Sequence, residues 1–367
     1  MSDNDKMMNF EEYSNKVLET INDYMDSSEE YNFKLIDHAQ FNGSVDKSIV
    51  CFKKSDEEYV YSPFFHLKGF YMSYCNLCRL QYPSNQAFNS SMEQLSDKFK
   101  ELFDNPQNKL NFNSDGINIT DYNIVKDKLF LQVCNADKNK KYLEDKPHYD
   151  LDDLSVFACA KIMKDGKSYI FPVYSNYLKL WNVSSEALLE DALKYSNEKH
   201  RAVLISPETY DKHELVSIPE DDYTKYKFVV LKNDTFKGAS AILNAGDVLD
   251  SFAKAYKCDL WVLPASVNEM IIVPKSAFPD YSFYNMTCAF IDYNVQNVDV
   301  ADDLAEHIYI YDKDSRCLNN TITKQATIDY NKVLFPFLST DKEKTEENTE
   351  VKEEQKIMVS GGKGKTF

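Results

Sequence analysis

Residues 258–274 read CDLWVLPASVNEMIIVP. An apolar run, Leu260–Leu263, halts at Pro264, and a second run, Met270–Val273, starts a few residues later. Between them, Ala265-Ser266-Val267-Asn268-Glu269 is either a catalytic turn displaying a serine or the bend of a hairpin. The two apolar flanks suit paired core strands. Ser266 and Glu269 are residue types that bond backbone groups at a bend. The hairpin is therefore the expected reading.

Working outward, helices and strands alternate irregularly. Phe10, Tyr13, Val17, Leu18, Ile21, Tyr24 and Met25 recur at helical spacing, with Asn9 and Glu12 placed as a capping box. Strands are expected at Ser48–Lys53 and Glu57–Ser62, then a second capped helix from Ser90 carrying Met92, Leu95 and Phe99. An Asn-rich stretch, Asn105–Asn118, breaks the pattern. Further on, Lys128–Cys134 reads as a strand and Ala136–Glu144 as a short helix. Ser155–Met163 and Ser168–Val173 read as a hairpin turning at Asp165-Gly166. Helices are expected over Ser184–Tyr195 and Asp247–Tyr256, with strands at Ala202–Ser206, Phe228–Lys232, Ala239–Leu243 and His307–Tyr311. This order predicts an α+β fold with mixed or antiparallel sheets and packed helices, not a doubly wound parallel sheet. The expected division is an N-terminal subdomain over 1–110, a second over 111–338, and a charged tail over 339–367 too polar to order itself.

Composition narrows the function. The 367 residues carry 42 Lys and Arg against 59 Asp and Glu, a net charge of −17 that repels nucleic acid. With only 9 Gly, Gly-rich phosphate cradles have little to be built from. The segment Gly361-Gly362-Lys363-Gly364-Lys365-Thr366 imitates a phosphate loop, but Val359 stands where that loop needs glycine. The N-terminus has no apolar core of signal-peptide type, and no run of about 20 apolar residues follows. The expectation is a cytoplasmic protein with reduced cysteines. Cys51, Cys134 and Cys159 sit in apolar runs as small buried hydrophobes. Cys75 and Cys78 form the one close pair, with no second ligand pair at zinc spacing.

The stretches YSPFFHLKGFY, NADKNKKYLEDKPHYDLDDLSV, VYSNYLKLWNVSSEALLEDAL, GASAILNAGDVLDSFAKAYKCDLWVLPASVNEMIIVP and HIYIYDKD stand in this order along the chain. Together they resemble a bacterial family catalogued as domain of unknown function 5688. The resemblance spans most of Met8 to Asp314. It implies a soluble bacterial protein and brings no activity, catalytic residue or cofactor with it. Related sequences resemble L-P-S-S-x-H-E where this chain has Leu263-Pro264-Ala265-Ser266-Val267-Asn268-Glu269. Asn268 stands in place of the histidine and cannot serve as a base for Ser266. Where relatives tend to have glycine, this chain has Asn182, a residue that tolerates a left-handed turn.

Pro147-His148-Tyr149-Asp150-Leu151-Asp152-Asp153 holds the densest mixture of imidazole and carboxylate. On an extended segment His148, Asp150 and Asp152 share a face, as a divalent-metal or general-base cluster would require. The plainer reading is an acidic connector entering the next strand. Trp181 is expected as a core anchor. The sequence therefore favours a non-catalytic module that binds a protein partner or small ligand, without nucleic acid, membrane, metal or cofactor. The alternative is a hydrolase or metal-dependent enzyme centred on His148, Asp150 and Asp152, with Ser266 and Glu269 as further candidates.

Overall fold

The computed structural model describes residues 6–24, 31–39, 41–43, 45–53, 64–104, 121–164, 167–235, 237–332 and 334–335. In chain order its elements begin with α1 (Phe10–Tyr24), β1 (Tyr31–Ala39), β2 (Val45–Lys53), β3 (Phe64–His66), α2 (Leu67–Arg79) and α3 (Ser84–Asp104). Next come α4 (Tyr122–Val125), β4 (Leu129–Asn135), α5 (Lys140–Leu143), β5 (His148–Leu151), β6 (Leu154–Lys164), β7 (Lys167–Pro172) and α6 (Ser175–Trp181). Then follow α7 (Ser185–Lys199), β8 (Val203–Ile205), α8 (Pro207–Asp211), β9 (Val229–Lys232) and α9 (Gly246–Tyr256). The last are β10 (Leu260–Ser266), β11 (Glu269–Pro274), α10 (Phe283–Asn297), β12 (Tyr309–Asp312), β13 (Cys317–Asn320) and β14 (Ala326–Asp329). The fold is α+β, with strands in three sheets joined by antiparallel pairing. The expected strand Glu57–Ser62, the Asn-rich stretch, the Asp165-Gly166 turn, the charged tail and the phosphate-loop imitation lie outside the described residues.

The described residues fall into two compact units. One lies within Met1–Lys126, Lys138–Lys146 and Lys161–Asn182, the other within Asp127–Asp137, Pro147–Ala160 and Val183–Phe367.

In the first unit α1 opens with the expected capping box. The Asn9 N–H donates to Glu12 Oε2 and the Glu12 N–H to Asn9 Oδ1, both at 2.9 Å. Tyr13, Val17 and Ile21 are fully buried against Met92, Leu95 and Phe99 of α3, in one core with β2 and α2. The second helix begins at Ser84, not Ser90. The serines at 90 and 91 are interior: Ser91 donates to the Phe88 carbonyl at 2.7 Å and accepts from the Tyr13 hydroxyl at 2.9 Å. Cys75 and Cys78 lie one turn apart on α2, both as free thiols. Trp181 is 7% exposed and stacks on Tyr177 at 5.0 Å, with Tyr122 at 5.5 Å. Asn182 ends α6 in the left-handed region, φ 52°.

The second unit is built on a seven-stranded sheet in the order β14-β13-β12-β10-β11-β9-β8. Helix α10 lies on one face, setting Met286 and Phe290 against Trp261, Leu263, Val273 and Ile308. A second sheet, β4-β6-β5, carries α7 through β4, whose Leu131 N–H donates to Ser196 Oγ at 2.9 Å. Two expectations need correction. Ala239–Leu243 is not a strand but part of a buried 3-10 segment, Gly238–Asn244. An apolar run buried on every side shows no period that separates strand from helix. The helix expected over Ala136–Glu144 shrinks to α5, because the Ala136 N–H is taken by the Asp153 carbonyl at 2.8 Å. Among the described residues, no helix is long and apolar enough to cross a membrane.

Candidate functional site

The opening stretch is a hairpin. Strands β10 and β11 pair antiparallel from Leu260↔Pro274 to Ser266↔Glu269, with an irregularity between Leu263 and Ser266 that accommodates Pro264. Val267 and Asn268 make the turn. Its backbone is held on both sides: the Val267 N–H donates to the Asp302 carbonyl at 2.8 Å, and the Val267 carbonyl accepts from Ala239 N–H at 3.1 Å. Ser266 Oγ accepts the Asn268 N–H at 3.1 Å and donates to Glu269 Oε1 at 2.6 Å. Gly238 is pressed against this turn. A Cβ there would meet the Asn268 carbonyl oxygen at 2.6 Å, so only glycine fits without a shift.

The same turn forms one wall of a pocket of about 370 Å³. Tyr210, from α8, and Tyr293, from α10, line it together with Ser266, Glu269, Lys232 and Asp299. On α10, Tyr293 continues the stripe of Met286 and Phe290 at spacings of four and three, so the helix face that buries its apolar half aims a tyrosine at the pocket. Another wall comes from the loop after β9. Thr235 Oγ1 donates to Asn233 Oδ1 at 2.6 Å, and buried Asn233 reaches Ser240 Oγ at 3.2 Å. Glu269 is only 9% exposed. Burial, and then the negative charge of Glu269, push the Tyr210 and Tyr293 hydroxyls above the ordinary phenol range. Beside the turn, burial pulls the Lys237 amine below the ordinary lysine range, partly offset by Asp302 at 3.6 Å.

The other sequence candidates are placed elsewhere. His148 and Asp150 lie on β5, whereas Asp152 sits in the two-residue turn to β6 with φ 58°, out of the strand's alternation. Asp150 accepts the Ser155 hydroxyl. Asp152 accepts Asn320 Nδ2 at 2.6 Å and Thr323 Oγ1 at 3.0 Å. Its neighbour Asp153 takes the Tyr309 hydroxyl on both oxygens, at 2.8 and 2.7 Å. His307 Nε2 lies 3.3 Å from Asp153 Oδ2 without the alignment of a hydrogen bond. Burial raises the Asp153 carboxyl, while Tyr309 and His307 draw it back down. These contacts tie the β5–β6 turn to β12 and β13. Neither His148, Asp150 nor Asp152 lines the Ser266–Glu269 pocket. Among the described residues no three His, Cys, Asp or Glu side chains are grouped to hold a metal ion.

A family model matches residues 10–313, most of the chain. The chain belongs to the family of unknown function DUF5688. No curated protein and no solved structure matches it. Within this DUF5688 chain, the pocket draws on residues that no local pattern marks. Tyr210, Tyr293 and Asp299 come from separate elements and meet only through the sheet order. The single signal in the sequence was the turn itself, where Ser266 and Glu269 interrupt two apolar runs.

Proposed function

We propose that this DUF5688 chain is a non-catalytic binding module for a small polar ligand, with the pocket at the Ser266–Glu269 turn as its site. The observation that carries the reading is convergence. Ser266, Tyr210, Tyr293 and Glu269 line one concavity from separate elements, and convergent polar groups in a cavity of roughly 300–1,000 Å³ are what fix the orientation of a bound ligand. Ser266 is poorly placed as a nucleophile. Its oxygen holds the turn N–H, and among the described residues no histidine is hydrogen-bonded to it. The enzyme reading at His148, Asp150 and Asp152 gains no support, since Asp150 and Asp152 are engaged in bonds that fix a turn. The acidic balance of the whole chain favours a small ligand or a protein partner over nucleic acid.

Ester, peptide and phosphoester substrates, assayed with the parent, Ser266→Ala and Asn268→His proteins, should show no turnover. A thermal-shift screen of small polar molecules on the parent should find some that raise its melting temperature, because a ligand bound only to the folded state stabilises it. Turnover that appears in the parent or Asn268→His protein and vanishes with Ser266→Ala contradicts the reading.

A further inference from the structure

We infer that the pocket takes a ligand bearing a primary ammonium group, which pairs with the Glu269 carboxylate; the inference rests on the pocket being the binding site. Glu269 is nine-tenths buried, and its side-chain donors are neutral hydroxyls, that of Ser266 at 2.6 Å and that of Tyr210. Among the described residues no Lys, Arg or His forms an ion pair with it. A buried carboxylate normally has a cationic partner or a metal, since hydroxyl donors alone leave its charge uncompensated. Here the missing positive charge has a cavity to enter.

The neighbouring groups narrow the cation. A metal ion is disfavoured because no three ligating side chains are grouped among the described residues. An ammonium group needs up to three acceptors at flexible angles, and Asn268, Tyr210 and Tyr293 line the same pocket as Glu269. The Tyr210 ring already accommodates one ammonium, with Lys232 Nζ 5.5 Å from its centroid. Lys232 therefore occupies that ring without pairing to Glu269. Asp302 is offset by Lys237 at 3.6 Å, and Asp299, which accepts the Ala301 N–H on Oδ1 at 3.0 Å, is a second carboxylate on the pocket lining for a ligand with two amines.

The test is calorimetric titration of the full chain with putrescine, butanediol and succinate, which share a four-carbon span and differ in charge. Putrescine should bind, and butanediol and succinate should bind at least about tenfold more weakly. Glu269→Gln, which keeps the side-chain shape, should weaken putrescine binding by at least about tenfold, the loss of one charge-assisted contact. Its melting curve serves as the folding control, and Asp299→Asn provides a milder second variant at an exposed position. Butanediol or succinate binding as tightly as putrescine overturns the ammonium inference while leaving the pocket reading intact. Putrescine binding unchanged in Glu269→Gln overturns it as well. No putrescine binding to the parent also rejects it, and the wider polar screen then decides the pocket reading separately.

Discussion

At the scale of single residues, Ser266 does structural work that its appearance disguises. It closes the hairpin turn through Asn268 N–H and donates to a buried carboxylate. Because that second bond is charge-assisted, Ser266→Ala should cost about 1.5–3 kcal/mol, more than a neutral turn bond. Chemical denaturation measures this, and an unchanged midpoint would place Glu269 in water. Gly238 makes a sharper case. Alanine there puts a Cβ 2.6 Å from a backbone oxygen that cannot rotate away, so Gly238→Ala should destabilise by about 1–3 kcal/mol and displace the turn. Equal stability of parent and variant would contradict the close approach. The sequence marked Ser266 and Glu269 as turn residues, but not Gly238, because a glycine demanded by a neighbour's carbonyl has no local signature. Asn182 was legible for the opposite reason: its left-handed conformation is a property of its own backbone.

At the scale of elements, legibility followed amphipathic contrast. Helix α1 sets acids against Tyr13, Val17 and Ile21, and both its course and its cap could be read directly. Helix α10, FYNMTCAFIDYNVQN, has a single charged residue in fifteen, so its buried stripe of Met286 and Phe290 does not stand out from exposed Tyr284, Ile291 and Val295. Tyr293 was lost with it. Strands β13 and β14, CLNN and ATID, are four residues each and too polar to announce themselves. The segment Gly238–Asn244 failed for the reverse reason, with no exposed face from Gly238 to Leu243 to set a period. Trp181 ties α6 to α4 through Tyr177 and Tyr122, and Trp181→Ala should cost about 3–5 kcal/mol. A melting curve matching the parent would mean that the stacked rings are not a packed contact.

At the scale of the whole molecule, buried phenols govern the response to alkali. Burial pushes Tyr13 up to about 12, against the pull of its Ser91 bond, and drives Tyr309 and Tyr330 well above the ordinary range. Once pH passes the free phenol value of about 10, the unfolded chain releases protons that the folded chain retains. Stability should therefore be unaffected at neutral pH and fall as pH rises through the tyrosine range. A denaturation midpoint that stays constant across that range would contradict the burial of these hydroxyls. Both units contain such a residue, Tyr13 in one and Tyr309 and Tyr330 in the other, so both should weaken in alkali.

The account turns on which surface meets a ligand, and two tyrosine environments distinguish the choices. Tyr210 and Tyr293 line the Ser266–Glu269 pocket, whereas Tyr149 stands on β5 between His148 and Asp150. The most direct measurement is two-dimensional NMR of tyrosine-labelled protein, assigned by Tyr→Phe substitution, during titration with a molecule that raised the melting temperature. Resonances of Tyr210 and Tyr293 should move with ligand while Tyr149 stays in place. Movement of Tyr149 with Tyr210 and Tyr293 unchanged would contradict the assignment of the pocket as the binding site.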